Sequence, residues 1–211
     1  MNKTFWAIIA VIVVIFGGII VFNKNDANAP SGNAKPTNHI IGEGKSGVTL
    51  VEYGDFECSA CGQYYPIVEQ VKEKYRDQIF FQFRNLPLLQ VHPNAFAASR
   101  AAEAADKQGK FWDMYNLLYQ NQVSWAGSDA ASKTFEQYAT QLGLNLEKFK
   151  SDAASSEVNA VINADIAEFK KTKEIMSTPT FFLDGKRIKA ASLEEFSKLI
   201  DEAIAAKSKQ Q

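Results

Sequence analysis

The hydrophobic pattern after residue 38 begins and ends with strand-like runs. Residues 48–53 (VTLVEY) and 79–84 (IFFQFR) are rich in β-branched and aromatic side chains, which predicts two strands. Residues 180–183 (TFFL) have the same character, and together with residues 186–188 (KRI) they flank Asp184-Gly185, a dipeptide that strongly favours a two-residue hairpin. Two strands are therefore predicted before a long middle section and two after it.

Helical periodicity marks the segments between and after these strands. Apolar residues spaced three or four apart predict a helix after the first strand, and Pro66 inside it is expected to produce a kink. Pro93 suits a first helical turn, and a block of five helices is predicted from there. A last helix covers residues 193–203. This order is that of an α/β, thioredoxin-like fold with an all-helical insertion at about residues 93–174.

The N-terminal segment has a different pattern. Residues 5–22 (FWAIIAVIVVIFGGIIVF) carry no charge and reach the length at which an apolar run can span a membrane as a helix. Lys3 and the α-amino group precede the run, which predicts a transmembrane signal-anchor with residues 1–4 in the cytoplasm. Residues 23–38, rich in Asn, Ala, Pro, Ser and Gly, predict a flexible linker to an extracytoplasmic domain at 39–207.

A cleaved signal peptide is the alternative to a retained anchor. Ala27-Asn28-Ala29 has the small-x-small form that cleavage requires. Pro30 follows directly and is expected to hinder cleavage there, so we favour the retained anchor. Cleavage would instead give a secreted or periplasmic protein.

Composition and charge exclude several classes of function. The 46% hydrophobic and 22% charged content is typical of an ordinary globular chain. The net charge is −1 and the basic residues are scattered, which argues against a nucleic-acid or anionic-lipid surface. Two cysteines are too few for a small fold held together by disulfides, so their close spacing indicates chemistry.

Cys58 and Cys61 form a CxxC motif at the predicted strand-to-helix junction. A cysteine in the first helical turn is activated as a thiolate, because free backbone N–H groups and the helix dipole stabilise negative charge there. A spacing of three places the second sulfur on the same side, one turn deeper. We therefore expect Cys58 to be an exposed nucleophile and Cys61 to be a buried resolving thiol.

Two other uses of the cysteine pair are disfavoured. Zinc requires three or four protein ligands, and His39 and His92 lie at no finger-like spacing from the cysteines. A purely structural disulfide would close a loop too short to restrict the unfolded chain much. His92 precedes Pro93 at a loop-to-helix junction, and its expected role is structural capping rather than catalysis.

Three ordered blocks resemble the DsbA-like family of extracytoplasmic thiol oxidoreductases, in its membrane-anchored or secreted bacterial form. VTLVEYGDFECSACGQYYP resembles the active-site segment. FRNLPLLQVHPNAFAASRAAEAADKQGKFWDMYNLLYQNQ resembles the beginning of the helical insertion, and STPTFFLDGKRI resembles the segment that contains a cis-proline. The likeness extends from about residue 39 to 205, and the ordered set is much more specific than a lone CxxC.

The resemblance implies roles for the matching positions. Cys58 and Cys61 match the redox pair. Thr178-Pro179 matches a dipeptide with a cis bond whose backbone pairs with an extended substrate, although Pro179 by itself would suit the first residue of a strand. Glu52, six residues before Cys58, matches a buried carboxylate that accepts or relays the proton of Cys61. The alternative for Glu52 is the exposed face of an edge strand.

The resemblance also implies an enzyme that introduces disulfides into unfolded or cysteine-containing exported proteins. It would need no dissociable cofactor beyond the Cys58–Cys61 disulfide, and a membrane redox partner would recycle it. The family's strongly oxidising member has Pro-His between its cysteines and a thiol pKa near ~3.5. Ser59-Ala60 stands here, so we expect a milder pKa and a less oxidising potential.

Two other functions remain open. A membrane-tethered disulfide reductase or isomerase would use the same residues with electrons flowing the other way. A protein of another class, a tethered peptide-binding module or holdase, would use the fold to capture extended chains, with its thiols incidental.

Overall fold

The computed structural model describes residues 34–209 and has a central five-stranded sheet with the strand order β1-β3-β2-β4-β5. In chain order the elements are β1 His39–Ile41, β2 Val48–Gly54, α1 Ser59–Lys74, β3 Ile79–Asn85, α2 Ala95–Asp106, α3 Phe111–Gln120, α4 Gln122–Trp125, α5 Ala131–Gln141, α6 Leu146–Ala153, α7 Ser156–Lys171, β4 Thr180–Leu183, β5 Lys186–Ile188 and α8 Leu193–Ser208. The predicted order of strands and helices is confirmed, and β1 is added to it.

Strand β2 occupies the middle of the sheet. It runs parallel to β3, to which α1 connects it, and antiparallel to β4 on its other side. The edge strands β1 and β5 are antiparallel to their neighbours. The last three residues of β2 are all buried, as expected for a central strand that is covered on both faces. The turn after β2 therefore starts from a fixed point in the core.

An aromatic cluster joins the insertion to the sheet. Phe83 of β3 packs edge-on against Tyr115 of α3 with ring centroids 5.1 Å apart. Phe56, in the turn after β2, lies 5.1 Å from Phe83 and 5.0 Å from Tyr119 by the same measure. All four rings are buried. Aromatic pairs at such distances each contribute about 0.5–1.5 kcal/mol beyond the burial of their area, so the cluster fixes α3 against the turn that carries the cysteines.

The folded domain begins earlier than predicted. Thr37, which the sequence pattern assigns to a linker over residues 23–38, is buried. Its N–H and Oγ1 donate to the two carboxylate oxygens of Asp165 at 2.8 and 2.7 Å. The chain then enters β1, whose three residues are too few to show an alternating pattern. The predicted boundary at residue 39 is therefore wrong by at least two residues.

The helical insertion also differs in detail from the prediction. It contains six helices, α2 to α7, because the single-turn helix α4 lacks the length that a periodic pattern requires. Helix α2 begins at Ala95 rather than at Pro93. Outside the insertion, Pro66 lies within α1 as predicted, and the helix continues past it to Lys74.

Residues 34–209 contain no helix that is both long enough and apolar enough to cross a membrane. The predicted signal-anchor at residues 5–22, the cytoplasmic residues 1–4 and most of the predicted linker lie outside the described residues.

Candidate active site

The two cysteines lie where β2 passes into α1. Cys58 is the N-cap residue of the helix, with extended backbone angles of φ −66° and ψ 120°, and Cys61 is its third residue. Cys58 is only 7% exposed, so the expectation of a well-exposed sulfur is wrong. Cys61 is 1% exposed, as predicted for the inner thiol. Both are free thiols in this structure.

The Thr178–Pro179 segment partly covers Cys58. The peptide bond between Thr178 and Pro179 is cis, as the resemblance implies. The Cys58 thiol donates a hydrogen bond to the Thr178 carbonyl, with 3.5 Å between Sγ and O. Sequence positions 120 residues apart are thus brought together at the beginning of α1.

The two thiols have opposite acidities. Hydrogen bonding with Cys61 is the main cause that lowers the pKa of Cys58 from 9.0 to about 5, and it outweighs the effect of burial. Hydrogen bonding with the Thr178 side chain and with the backbone of Cys61 and Ala60 lowers this pKa further. Burial, followed by the hydrogen bond with Cys58, raises the pKa of Cys61 well above its ordinary value. The value for Cys58 lies above ~3.5, as expected for a site without the histidine.

Glu52 lies on the central strand β2, near enough to the buried thiol of Cys61 for its charge to affect that thiol. Phe83 of β3 and Phe181 of β4 are its partners across the sheet, and only 1% of Glu52 is exposed. The alternative that placed it on an exposed edge strand is therefore wrong. Burial raises the pKa of Glu52 to about 8, although the charge of Lys72 opposes this effect. The charge of Glu52 in turn contributes to the raised pKa of Cys61.

Asp55 stabilises the turn before the cysteines, and the sequence reasoning did not identify it. Its Oδ1 accepts the N–H of Glu57 at 2.8 Å, and its Oδ2 accepts the N–H of Leu88 at 2.8 Å and bonds His92 Nδ1 at 2.7 Å. The Asp55 carbonyl accepts the N–H of Cys58 at 3.1 Å. The His92 side chain therefore bonds the Asp55 carboxylate. The prediction that His92 caps α2 is wrong, because the N-cap residue of that helix is Asn94.

Glu57 and Gln122 were also missed. The carboxylate of Glu57 accepts N–H groups of the insertion, from Asn94 at 2.5 Å and from Gly127 at 2.7 Å. The Gln122 side chain, in the insertion, donates to the carbonyl of Cys58 at 2.9 Å. Nothing in the sequence pattern distinguishes these residues from surface Glu and Gln, because their partners are backbone groups far away along the chain.

The histidines are not placed as further ligands beside the thiols. His39 bonds Glu103 at 2.8 Å, and His92 bonds Asp55. Residues 34–209 hold no cluster of three or more His, Cys, Asp or Glu side chains suited to a metal ion. Among the described residues, the site brings together two thiols and the buried carboxyl group of Glu52.

The fold and the cysteine pair define a thioredoxin-type protein. The family model described as Thioredoxin matches residues 34–202, which is most of the chain. The chain belongs to the thioredoxin family.

Solved structures with the same fold include DsbA-type proteins. The chain resembles alpha-DsbA1 of Wolbachia pipientis with a TM-score of 0.72 and 18% identity, covering 83% of this chain and 94% of that one. For BdbD of Bacillus subtilis the TM-score is 0.67 and the identity 20%, and the match covers 82% of this chain and 97% of that one. For a thioredoxin-like oxidoreductase of Silicibacter pomeroyi DSS-3 the TM-score is 0.66 and the identity 24%, and the match covers 80% of this chain and 93% of that one. The predicted thioredoxin-like α/β fold with a helical insertion is confirmed.

Curated relatives carry a different name. A Na(+)/H(+) antiporter NhaA 1 of Mycobacterium sp. (strain KMS) is 38% identical over 162 residues, and that of Salinispora arenicola (strain CNS-205) is 37% identical over 168 residues. The matches cover 74% and 79% of this chain but only 25% of either relative. The chain therefore spans about a quarter of the length of these relatives, whose name describes much longer proteins.

Proposed function

We propose that the protein is an extracytoplasmic thiol–disulfide oxidoreductase that introduces disulfides into exported proteins. The observation that carries the proposal is the division of acidity between its two thiols. Cys58, at the N-cap of α1, has a pKa of about 5, whereas the pKa of Cys61 is raised. A low pKa makes Cys58 a good leaving group, and disulfide donation depends on this property.

The reaction starts from the oxidised Cys58–Cys61 disulfide. A client thiolate attacks Cys58 Sγ, a new S–S bond forms between client and Cys58, and Cys61 leaves as a thiolate. Cys61 then takes a proton, because its pKa is well above neutral. A second client thiolate attacks the client sulfur of the mixed disulfide and expels the Cys58 thiolate. The client is oxidised by two electrons, and the enzyme is left as a dithiol.

Glu52 is the proposed proton donor and acceptor for Cys61. With a pKa of about 8 it is mostly protonated near neutral pH, so it can supply the proton when Cys61 leaves. The same group accepts this proton when Cys61 must attack during reoxidation. Its buried position on β2 keeps the exchange away from bulk water.

The client is proposed to bind along Thr178-Pro179 and a rim of apolar side chains. The backbone of Thr178 lies against Cys58 and can pair with an extended chain on either side of its cysteine. Large exposed apolar residues occur in three segments whose neighbouring residues bond the cysteine turn: the loop after β3, helix α4 and the stretch before Thr178. They are Leu89, Val91, Val123, Ile175 and Met176. Such a rim suits apolar segments of unfolded chains.

We propose that the protein acts at the cell membrane through the signal-anchor at residues 5–22, with its domain outside the cytoplasm. A membrane redox partner would accept the two electrons from the reduced pair, so no dissociable cofactor is required. Cleavage after Ala29 would give a secreted or periplasmic form with the same chemistry.

The decisive experiment is the capture of clients. In Cys61→Ala, the Cys58 thiolate should attack disulfides of client chains and remain in mixed disulfides with them, because the thiol that would release these chains is absent. Cys58→Ser should abolish both trapping and disulfide transfer. Trapped species must disappear on reduction and must be missing from the double variant. If Cys61→Ala traps nothing, while client binding persists without either thiol, the holdase would replace the oxidoreductase.

A tethered reductase or isomerase is the second candidate, favoured by the absence of a histidine between the cysteines. Equilibration of the purified chain with glutathione separates the two. A reduction potential towards the ~−120 mV of DsbA supports disulfide donation, and one towards the ~−270 mV of thioredoxin supports reduction.

A further inference from the structure

Gln122 joins the helical insertion to the backbone on either side of the nucleophile. Its Nε2 donates to the carbonyl of Phe56 at 2.7 Å and to the carbonyl of Cys58 at 2.9 Å. The side chain is buried, 8% exposed. Both acceptors belong to the turn that sets the direction of the Cys58 side chain, so one amide group holds that turn at two points.

Gly62 leaves the space that Gln122 occupies. A Cβ atom at Gly62 would lie 2.3 Å from Gln122 Oε1, which is too close for any real contact. Gly62 is inside α1, where glycine is a poor choice for helix stability. Its N–H donates to the Cys58 carbonyl at 3.1 Å, the same atom that Gln122 binds. The glycine is thus explained by the approach of the glutamine.

The hydrogen bonds between the cysteine turn and the helical insertion run in both directions. Glu57, next to Cys58, accepts N–H groups of Asn94 and Gly127 in the insertion. Gln122 donates in the opposite direction, from the insertion to the turn. Each side of the boundary therefore satisfies backbone groups of the other, and neither can shift without breaking hydrogen bonds.

The helix that carries Gln122 is itself firmly placed. Trp125, at the end of α4, is fully buried, and its indole N–H donates to the Leu118 carbonyl of α3 at 2.9 Å. The Trp125 ring also packs edge-on against Phe135, with centroids 5.0 Å apart. A single-turn helix anchored in this way can hold a side chain precisely.

We propose that Gln122 is a positioning residue of the redox site, through which the helical insertion holds the N-cap backbone of Cys58 in the conformation that favours its thiolate. The inference rests on the proposed function and adds a residue to it. Two effects act together. The amide hydrogens offset the negative ends of two peptide dipoles next to the sulfur, and they fix the turn so that Cys58 Sγ faces the first N–H groups of α1.

The first test replaces the amide with a side chain of similar length that cannot donate. In the purified full chain, Gln122→Met should raise the pKa of Cys58 by about one unit, measured by thiolate absorbance against pH. The equilibrium with glutathione should shift about tenfold towards the oxidised protein, which corresponds to ~30 mV. Gln122→Glu should act in the same direction. Ser124→Ala, an exposed change in the same helix, is the control and should leave both values unchanged.

The second test approaches the same contact from Gly62. In the wild-type background, Gly62→Ala should displace the Gln122 amide and reproduce the rise in the pKa of Cys58. In a Gln122→Ala background, the added methyl group meets no amide and should cause no further change. This comparison does not depend on one variant folding well, because alanine is the better helix residue at position 62.

The outcomes separate the two proposals. A folded Gln122→Met chain with an unchanged pKa and potential overturns the role of Gln122, as does a Gly62→Ala effect of equal size in both backgrounds. A wild-type chain with no dithiol–disulfide equilibrium would remove the proposed function itself. A shift in Gln122→Met that Gly62→Ala reproduces only in the wild type supports the positioning role.

Discussion

Glu52 is a carboxyl group inside the core, and this position has a consequence for stability. Its pKa is raised from 4.5 to about 8, so the folded state binds its proton more tightly than the unfolded state does. Stability from this group is therefore complete below pH 4.5 and is lost as the pH rises towards 8. The loss amounts to about 3 kcal/mol at pH 7.

Replacing Glu52 with Gln should remove this pH dependence. We expect the free energy of unfolding of oxidised Glu52→Gln, relative to wild type, to increase by about 3 kcal/mol between pH 4 and pH 7. Urea unfolding of the oxidised chains measures it without contributions from thiols. Glu73→Gln, an exposed change on α1, should follow the wild type at both pH values. Parallel curves for wild type and Glu52→Gln would contradict the raised pKa.

Among single residues, the site residues that stand in a recognisable sequence motif could be predicted. Cys58 and Cys61 were identified from their spacing at a strand-to-helix junction, and Glu52 and Thr178-Pro179 from resemblance. Gln122, Glu57 and Asp55 could not be found in this way. Their partners are mainly backbone N–H and carbonyl groups up to 70 residues away, and such groups have no side-chain signature. The fold alone brings them to the cysteines.

At the scale of elements, Asp165 of α7 ties three parts of the chain together. It is fully buried and accepts hydrogen bonds from Thr37, before β1, and from Asn85, at the end of β3. Arg84 lies 3.5 Å away as an ion partner. The stretch before β1 is thus held to a helix of the insertion that follows it by more than 100 residues.

Asp165→Ala should therefore be strongly destabilising. Removing one partner leaves buried donors of Thr37 and Asn85 unsatisfied, which we expect to cost about 3 kcal/mol or more. Glu168→Ala lies one turn further along α7 and loses only a surface pair with Lys171, so a change within about 0.5 kcal/mol is expected. Urea unfolding compares the two, and similar losses would argue against the buried connection.

Elements of regular length and composition were predicted well. Strands β2 and β3 and the long helices have several residues of one period, and the short strands β4 and β5 are marked by the hairpin dipeptide Asp184-Gly185 between them. Strand β1 and helix α4 were not predicted, because three or four residues are too few to show a period. Tertiary contacts define them instead. Strand β1 pairs with β3, and α4 is anchored by Trp125.

On the scale of the whole molecule, the site combines a thioredoxin sheet with a helical insertion. The sequence predicts the position of this insertion along the chain but not the arrangement of its helices. The sheet supplies Glu52 and the turn that carries the cysteines, and the segment after the insertion supplies Thr178-Pro179. The insertion supplies the aromatic packing around Phe56 and the contact from Gln122. Helical periodicity predicted that the insertion exists, but the side of it that faces the cysteines depends on packing between distant elements.

The stability of the whole reduced domain should depend on Cys58. Its folded pKa of about 5 is depressed below 9.0, so the thiolate stabilises the fold fully above pH 9, and this stabilisation is lost as the pH falls through 5. Between pH 4 and pH 7 the free energy of unfolding of the reduced wild type should increase by roughly 2 to 3 kcal/mol relative to that of Cys58→Ser. This variant keeps every other titrating group, including Glu52. Urea unfolding under reducing conditions measures the difference, and a value independent of pH would contradict it. The oxidised chain has no thiolate to stabilise, so the same free energy makes reduction of its disulfide more favourable than it would be with an ordinary thiol. The acidity of Cys58 therefore affects both the stability of the reduced fold and the reduction potential of the cysteine pair.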